Sequence, residues 1–269
     1  MPGAPAIDGG GLAANAGHRP NRHPSVRYTV VLGVQMVDED PRRNTGWAPG
    51  TFLGSLAPAT AAEIVALSVR RQFAPGRTIM RDGGRDTHVV LLFSGFVKAT
   101  LAVEGVETLL GIRLPGEVIG EMSALTGDPR SATVTACGRV GAGVIARTDF
   151  EAFLRRRPDA ATLVTATVAR QLRWANRRRT DFAVFPAHIR LARLLVEIAD
   201  VCGRKRADGT VEIAVPLSQP ELAAMIAIAQ ATVQKAVHDL RDRKLIGTGY
   251  RRIIIVDPCR LRSLADGLG

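Results

Sequence analysis

Aromatic residues are scarce in this chain: phenylalanine, tryptophan and tyrosine together make up 4% of its 269 residues. Any core is therefore aliphatic, and a hydrophobic fraction of 46% supplies enough for two modest domains. Cysteine is also rare. Cys137, Cys202 and Cys259 are odd in number and far apart, which argues against a disulfide framework and gives no cluster-ligand spacing. His18, His23, His88, His188 and His238 are equally scattered, so no metal site is expected. No apolar run is long enough to span a bilayer; the best near the N-terminus, Tyr28 to Val37, is short and lacks a following cleavage site of small residues. A cytoplasmic protein that makes no use of a membrane is the expectation. Acidic residues are in deficit, 25 against 36 Lys and Arg, and the net charge of +11 points to a polyanionic partner. No nucleophile–base pair and no phosphate-loop motif stands out, so the chain is not expected to be an enzyme.

Residues 1–50 are rich in Gly, Ala, Pro and Arg without sustained periodicity and read as a disordered extension. Met36 lies shortly before the first segment with domain character and is a candidate translation start. Phe52 to Leu67 suggests a short helical lead-in. From Arg71 to Ile145 short β-favouring runs, such as those starting at His88, Val97 and Thr108, alternate with turn signals at Pro75-Gly76, Asp82-Gly83-Gly84, Ser94-Gly95, Glu104-Gly105 and Pro115-Gly116. Close, regular turns of this kind mark an antiparallel barrel, with a jelly-roll closure the natural one. Helical periodicity resumes after Thr148, a plausible cap, and Pro158 opens a longer helix. Its Ala161, Val164, Val168, Leu172 and Ala175 repeat every three or four residues, a seam suited to pairing with an identical helix or to packing on its own barrel.

From Pro186 the pattern is helix, turn at Asp208-Gly209, a strand through Val211, Ile213 and Val215, then a capping box of Ser218 with Glu221. A break over residues 227–229 separates that helix from one spanning Gln230 to Arg241, and a basic hairpin around GTGYRR follows. Two short helices with a tight turn and a basic hairpin read as a winged helix-turn-helix. The fold class is thus α+β: a β-rich barrel domain over residues 51–157, a long helix over 158–184 and a winged helix-turn-helix domain over 185–269, which the resemblance described below implies to be an effector domain, a dimerisation helix with hinge and a DNA-binding domain.

The chemistry concentrates in GEVIGEMSALTGDPRSATV, residues 116–134. Gly120 lets backbone N–H groups approach a phosphate, Arg130 offers a planar fork of donors, Ser131 adds a hydroxyl, and Glu121 accepts from a ribose hydroxyl. The plainer alternative is a surface loop with an ordinary ion pair. A Gly-Glu pair, a short helical turn, then Arg-Ser-Ala and a strand resemble the phosphate-binding cassette of cyclic-nucleotide-binding domains. With the long helix and winged helix-turn-helix, the chain from Phe52 onward resembles the CRP/FNR family of bacterial transcription regulators.

That resemblance implies a homodimer that binds double-stranded DNA, works with RNA polymerase, needs no cofactor, and takes a cyclic nucleotide at Gly120, Glu121, Arg130 and Ser131 as effector. Cyclic AMP is the first choice and cyclic GMP the second, with a pocket that has lost its ligand as the rival. The family's Thr-Ser pair that meets adenine aligns with Ala175 and Asn176; the amide of Asn176 still serves a purine edge, and Ala175 does not. No N-terminal cysteine cluster of the oxygen-sensing branch is present.

The DNA-reading end departs too. The resemblance aligns Ser218 and Gln219 at the first helix, and Gln230, Ala231, Thr232 and Lys235 at the second, with DNA-facing positions. Ala227 stands where the family has a turn glycine and Ala229 where it has a serine cap, a loss worth about 1 kcal/mol. Gln suits an adenine edge and Lys a guanine, and the family's Arg and Glu contacts are missing, so a different half-site is expected. Arg251 and Arg252 on the wing, with Arg241 and Arg243 nearby, would meet phosphates or simply be solvated.

Overall fold

The computed structural model describes residues 47–103 and 106–267; the expectations for Tyr28 to Val37 and Met36 lie outside the described residues. The lead-in is two helices, α1 (Phe52–Ser55) and α2 (Pro58–Ala66), because Pro58 starts a new helix at its N1 position. The expected extension ends earlier than residue 50: Trp47 is half-buried and packs beside Phe93, their ring centroids 6.3 Å apart.

Eight strands follow: β1 (Val69–Phe73), β2 (Thr78–Met80), β3 (Val89–Ser94), β4 (Val97–Val103), β5 (Val106–Arg113), β6 (Val118–Ile119), β7 (Thr133–Ala136) and β8 (Val140–Ile145). They pair antiparallel in two four-stranded sheets, ordered β1-β8-β3-β6 and β2-β7-β4-β5. Successive side chains of a strand point to opposite faces, and β3 uses both. Val90 and Leu92 join Met80, Val97, Val134 and Ala142 between the sheets, while Val89 and Leu91 face outward against Phe52, Ile64, Phe150 and Phe153. The run VVLL is fully buried because both faces of its sheet are covered.

Short helix α3 (Glu121–Thr126) interrupts the strands between Gly120 and Gly127, both with positive φ. Helix α4 (Arg147–Arg156) caps on Ala146 rather than on the expected Thr148, which lies inside its first turn. Pro158 opens α5 (Pro158–Val184), a helix of 27 residues. Val164 is buried in the core shared with α1 and α4, so that part of the apolar seam packs on its own domain.

The C-terminal part comprises α6 (Ala187–Cys202), β9 (Gly203–Lys205), β10 (Val211–Ile213), α7 (Gln219–Met225), α8 (Gln230–Asp242), β11 (Ile246–Gly249), β12 (Arg252–Ile255) and α9 (Pro258–Ala265). Its strands form a third sheet ordered β11-β12-β10-β9. Strand β9 and helix α9 were not anticipated. The signal for α9 was present in Asp257-Pro258, where Asp257 accepts from the Arg260 N–H and Pro258 sits at N1. The core of this part gathers Leu191, Leu195, Leu222, Val233, Leu240, Ile255 and Leu261, and it also takes in Leu109 of β5. The outer face of the β2-β7-β4-β5 sheet therefore docks against the helix-turn-helix.

Ala227, in the turn between α7 and α8, has φ of +49°. A Cβ in the left-handed region costs roughly 1–2 kcal/mol, whereas glycine's extra unfolded-state freedom costs about 0.5–1 kcal/mol. Ala227 is exposed, so removing its methyl forfeits little packing. Ala227→Gly is expected to stabilise the fold by about 0.5–1 kcal/mol, read as a higher urea midpoint at unchanged slope; a lower midpoint would show the turn unstrained.

Candidate functional site

The cassette residues converge where β6 ends, α3 begins and β7 starts. Gly120 has φ of +82°, and a Cβ there would collide with the Arg130 guanidinium and the Met80 side chain. Glycine is thus required twice, by the backbone angle and by the close approach of Arg130. A small cavity opens here, lined among others by Gly120, Glu121, Arg130, Ser131, Arg113 and Gln171. Half open to solvent, it has a volume of about 60 Å³, far below that of typical ligand pockets, so a ligand of nucleotide size needs the walls to yield.

Arg130 is 3% exposed and already engaged. Its Nε and Nη2 donate to Asp86 Oδ2 at 3.2 and 2.9 Å, its Nη2 also to the His88 carbonyl at 2.6 Å, and its Nη1 to the Gly120 carbonyl at 3.1 Å. Four of five guanidinium N–H groups are spent, leaving one on Nη1. Burial pushes the Asp86 carboxyl up, but the Arg130 bonds and charge outweigh it and hold the group below the ordinary carboxylate range. An anion at Arg130 must therefore share the guanidinium with Asp86 or displace it. Asp86 lies outside the cassette motif, and no spacing in the sequence announces it. Beside it, burial and then the Arg130 charge push the His88 imidazole down, against the pull of Asp86.

Glu121 is 4% exposed, and burial pushes its carboxyl up despite a backbone hydrogen bond and nearby Arg113. Gln171 of α5 donates to its Oε1 at 3.3 Å. Ser131 is exposed, with its hydroxyl toward the Met122 sulfur at 3.9 Å. Asn176 does not line the cavity of its own chain: it lies on the exposed face of α5, and Gln171, five positions earlier, is the α5 residue that reaches the site. The exposed face coincides with the expected seam only in part: Leu172 and Ala175 are exposed, whereas Val164 is buried and Ala161 and Val168 are half-buried. Thr162, Thr165, Ala169, Leu172, Asn176, Arg179 and Ala183 alternate spacings of three and four, all exposed except half-buried Ala169, and Leu172 is 61% exposed.

Farther along α5, Arg178 is buried against the Trp174 ring at 4.5 Å. It donates to Glu197 Oε2 at 3.0 Å and to the Met225 carbonyl at the end of α7 at 3.2 Å. Arg190 of α6 donates to the neighbouring Ile226 carbonyl at 3.0 Å. The last carbonyls of α7, left without helical partners, are thus held by arginines of α5 and α6.

Gln230, Ala231, Thr232 and Lys235 are exposed on α8, together with Gln234 and His238, which share that face at helical spacing and were missed. Ala229 makes no side-chain cap, as its chemistry requires. At the start of α7 Gln219 is exposed, but the Ser218 hydroxyl is committed to the capping box: it accepts from the Glu221 N–H, and Glu221 Oε2 accepts from Ser218 N and Oγ, both at 2.7 Å. On the wing, Arg251 is exposed with φ of +52°, whereas Arg252 is not free, since its Nε pairs with Glu212 Oε1 at 2.6 Å. The 93% exposed Tyr250 at the wing tip was also overlooked. Among the described residues no His, Cys, Asp and Glu cluster suits a metal ion, and no helix is long and apolar enough to cross a membrane.

Residues 70–157 match the family model of the cyclic nucleotide-binding domain, and residues 189–264 that of the Crp-like helix-turn-helix domain. The transcriptional regulator LdrP of Thermus thermophilus is 31% identical over 200 residues, covering 72% of this chain and 96% of LdrP. The CRP-like cAMP-activated global transcriptional regulator of Mycobacterium tuberculosis is 27% identical over 217 residues, 80% of this chain and 96% of the relative. Among solved structures, a CRP-family transcriptional regulator of Thermus thermophilus superposes with a TM-score of 0.60 at 26% identity, covering 73% of this chain and 96% of that one.

Proposed function

Because the chain belongs to the CRP/FNR family of transcription regulators, we propose that it is a homodimeric, sequence-specific DNA-binding switch controlled by a cyclic nucleotide at Gly120, Glu121, Arg130 and Ser131. One observation carries this reading: α5 serves both ends of the molecule. Gln171 lines the cavity and touches Glu121, while Arg178, seven positions and about 10 Å along the helix, grips the end of α7. A ligand that shifts the cavity wall against α5 thereby biases the helix-turn-helix.

The exposed heptad stripe is the proposed dimer seam. Asn176 at its centre would set register across it and would meet a nucleotide only from the partner. Two such protomers would present their α8 helices to successive major grooves, with Gln219, Gln230, Ala231, Thr232 and Lys235 toward base edges and backbone. Ser218 would position α7, Arg251 would hold phosphate, and Arg252 would do so on leaving Glu212. Cyclic AMP is the first nucleotide to test, since the Mycobacterium relative is described as cAMP-activated. RNA polymerase as a partner and a cytoplasmic setting follow from the same reading.

The rival is a regulator that ignores nucleotides, favoured by the small cavity and by the Asp86 carboxylate on Arg130. Selection of bound sites from random DNA, with and without cyclic AMP and cyclic GMP, separates the two. The switch is expected to enrich two-fold symmetric sites with half-sites about one helical turn apart, and to need nucleotide to do so. Identical enrichment in its absence would establish the rival.

A further inference from the structure

Arg130 stands in the wall between two depressions: its side chain lines the cavity beside Gly120 and Glu121, whereas Asp86 and His88 line an open groove along β2, together with Arg77 and Arg81. One carboxylate oxygen ties this wall together. Asp86 Oδ2 accepts from Nε and Nη2 of Arg130 at 3.2 and 2.9 Å, and His88 Nδ1 lies 3.1 Å from the same atom. The guanidinium is always cationic, and the imidazole becomes so on taking a proton.

The two ends of the Arg130–Asp86 pair differ in exposure: the Arg130 side chain is 2% exposed and that of Asp86 45%. A guanidinium so deeply buried needs an anionic partner at all times, but a half-exposed carboxylate is readily solvated. Asp86 is therefore the member that can leave, provided another anion takes its place. A cyclic phosphate has reason to displace it rather than share, because a bidentate grip needs two neighbouring N–H groups and only one, on Nη1, is unspent.

We propose that Asp86 is a tethered counter-ion which the ligand's phosphate displaces from Arg130, and that His88 receives the released carboxylate, taking a proton from solvent as it does so. This rests on the cyclic-nucleotide reading above and makes binding at that site proton-linked. In the empty site burial and then the Arg130 charge push the His88 imidazole down, against the pull of Asp86. A bound phosphate neutralises Arg130 and leaves burial alone to oppose Asp86, so the imidazole's pKa rises and the complex holds more protons than the empty protein. Nucleotide affinity therefore climbs as pH falls through the histidine range. Arg77 and Arg81 in the groove keep their charge throughout. Glu121, in the cavity on the other side of Arg130, is pushed up by burial; ionising it against a ribose would release a proton, the opposite sign.

Calorimetric titration of the full chain with cyclic AMP and cyclic GMP tests it, in pairs of buffers that differ in ionisation enthalpy so that protons taken up are counted. His88→Gln, which cannot be protonated, is expected to bind nucleotide with less proton uptake than the parent, and the same comparison cancels any contribution from Glu121. The ratio of parent to His88→Gln affinity is expected to rise about three- to tenfold from about pH 8 to about pH 6. Asp86→Asn leaves Arg130 short of an anion and is expected to bind at least about threefold tighter than the parent at about pH 8. A carboxylate that only orients Arg130 predicts the reverse. The Asn variant stands alone should the histidine variant fail to fold. Equal or weaker binding by Asp86→Asn overturns the counter-ion role, and uptake or a pH profile that His88→Gln leaves unchanged overturns the role of His88; either result leaves nucleotide control intact. No binding of either nucleotide by the parent and by Asp86→Asn overturns that reading as well.

Discussion

Lys98→Met is expected to destabilise the protein by about 3 kcal/mol, lowering the thermal midpoint by about 6–12 °C. Lys98 belongs to β4, beside Ala99 of the cavity wall, yet its own side chain points the other way. It crosses to the helix-turn-helix, where its ammonium donates to Glu221 Oε1 at 2.6 Å and to the Pro216 carbonyl. Both side chains are nearly excluded from water, at 9% and 11% exposure, so neither charge is solvated without the other. Burial alone pushes the Glu221 carboxyl up; the Lys98 and Ser218 hydrogen bonds outweigh it and leave the group below its ordinary range. Removing the lysine strands a buried carboxylate, which costs far more than an exposed ion pair is worth. Glu221 Oε2 remains on Ser218, so the first turn of α7 keeps its cap and the loss reports the cross-link itself. Adding Glu221→Gln to Lys98→Met is expected to recover part of the loss, because a neutral amide is easier to bury unpaired. A midpoint within about 2 °C of the parent would mean that the β4 sheet and α7 do not dock in this way.

Arg130→Leu is expected to weaken cyclic-nucleotide binding by about 100-fold or more, the loss of one charge-assisted hydrogen bond to a phosphate from the free Nη1 N–H and of a second from the N–H groups now on Asp86. The same change unmakes the four hydrogen bonds that tie the segment before β7 to Asp86, His88 and Gly120, so a thermal melt must accompany the titration. Arg130→Lys separates the two effects: it retains a cation for Asp86 but loses the fork, and a loss of at least about tenfold in nucleotide affinity is expected from a still-folded protein. Affinity unchanged in both variants would remove Arg130 from the binding site and return it to a structural role with Asp86.

Several features of this molecule are written locally and were legible as such. The capping box of Ser218 and Glu221, the break before Gln230 and the Pro158 start each depend on residues within one turn of each other, and the elements begin there. The cassette was legible for a related reason, because Gly120, Glu121, Arg130 and Ser131 span a single loop and helix. Thr148 was misjudged as a cap because a capping residue requires a particular φ/ψ, and the chain takes that conformation at Ala146. Periodicity along α5 revealed an amphipathic helix but not which stripe stays free: Val164 went to its own core, and the exposed heptad, though it keeps Leu172, runs through polar Thr162, Thr165 and Asn176, which an apolar pattern does not mark.

By itself, then, the amino-acid order determined the element types, the family and the cassette residues that line the cavity, since each depends on short-range sterics, capping or a contiguous motif. Only the tertiary structure decided who those residues meet. Arg130 finds Asp86 across 44 positions, Gln171 finds Glu121 across 50, and Lys98 finds Glu221 across 123. The same holds for the cavity wall, where the packing of α5 against α1, α4 and β3 leaves Gln171 at the cavity and Asn176 outside it. Burying apolar faces sets which elements touch, and the charged side chains caught at those contacts must then pair with whatever lies opposite, a choice that no local pattern encodes.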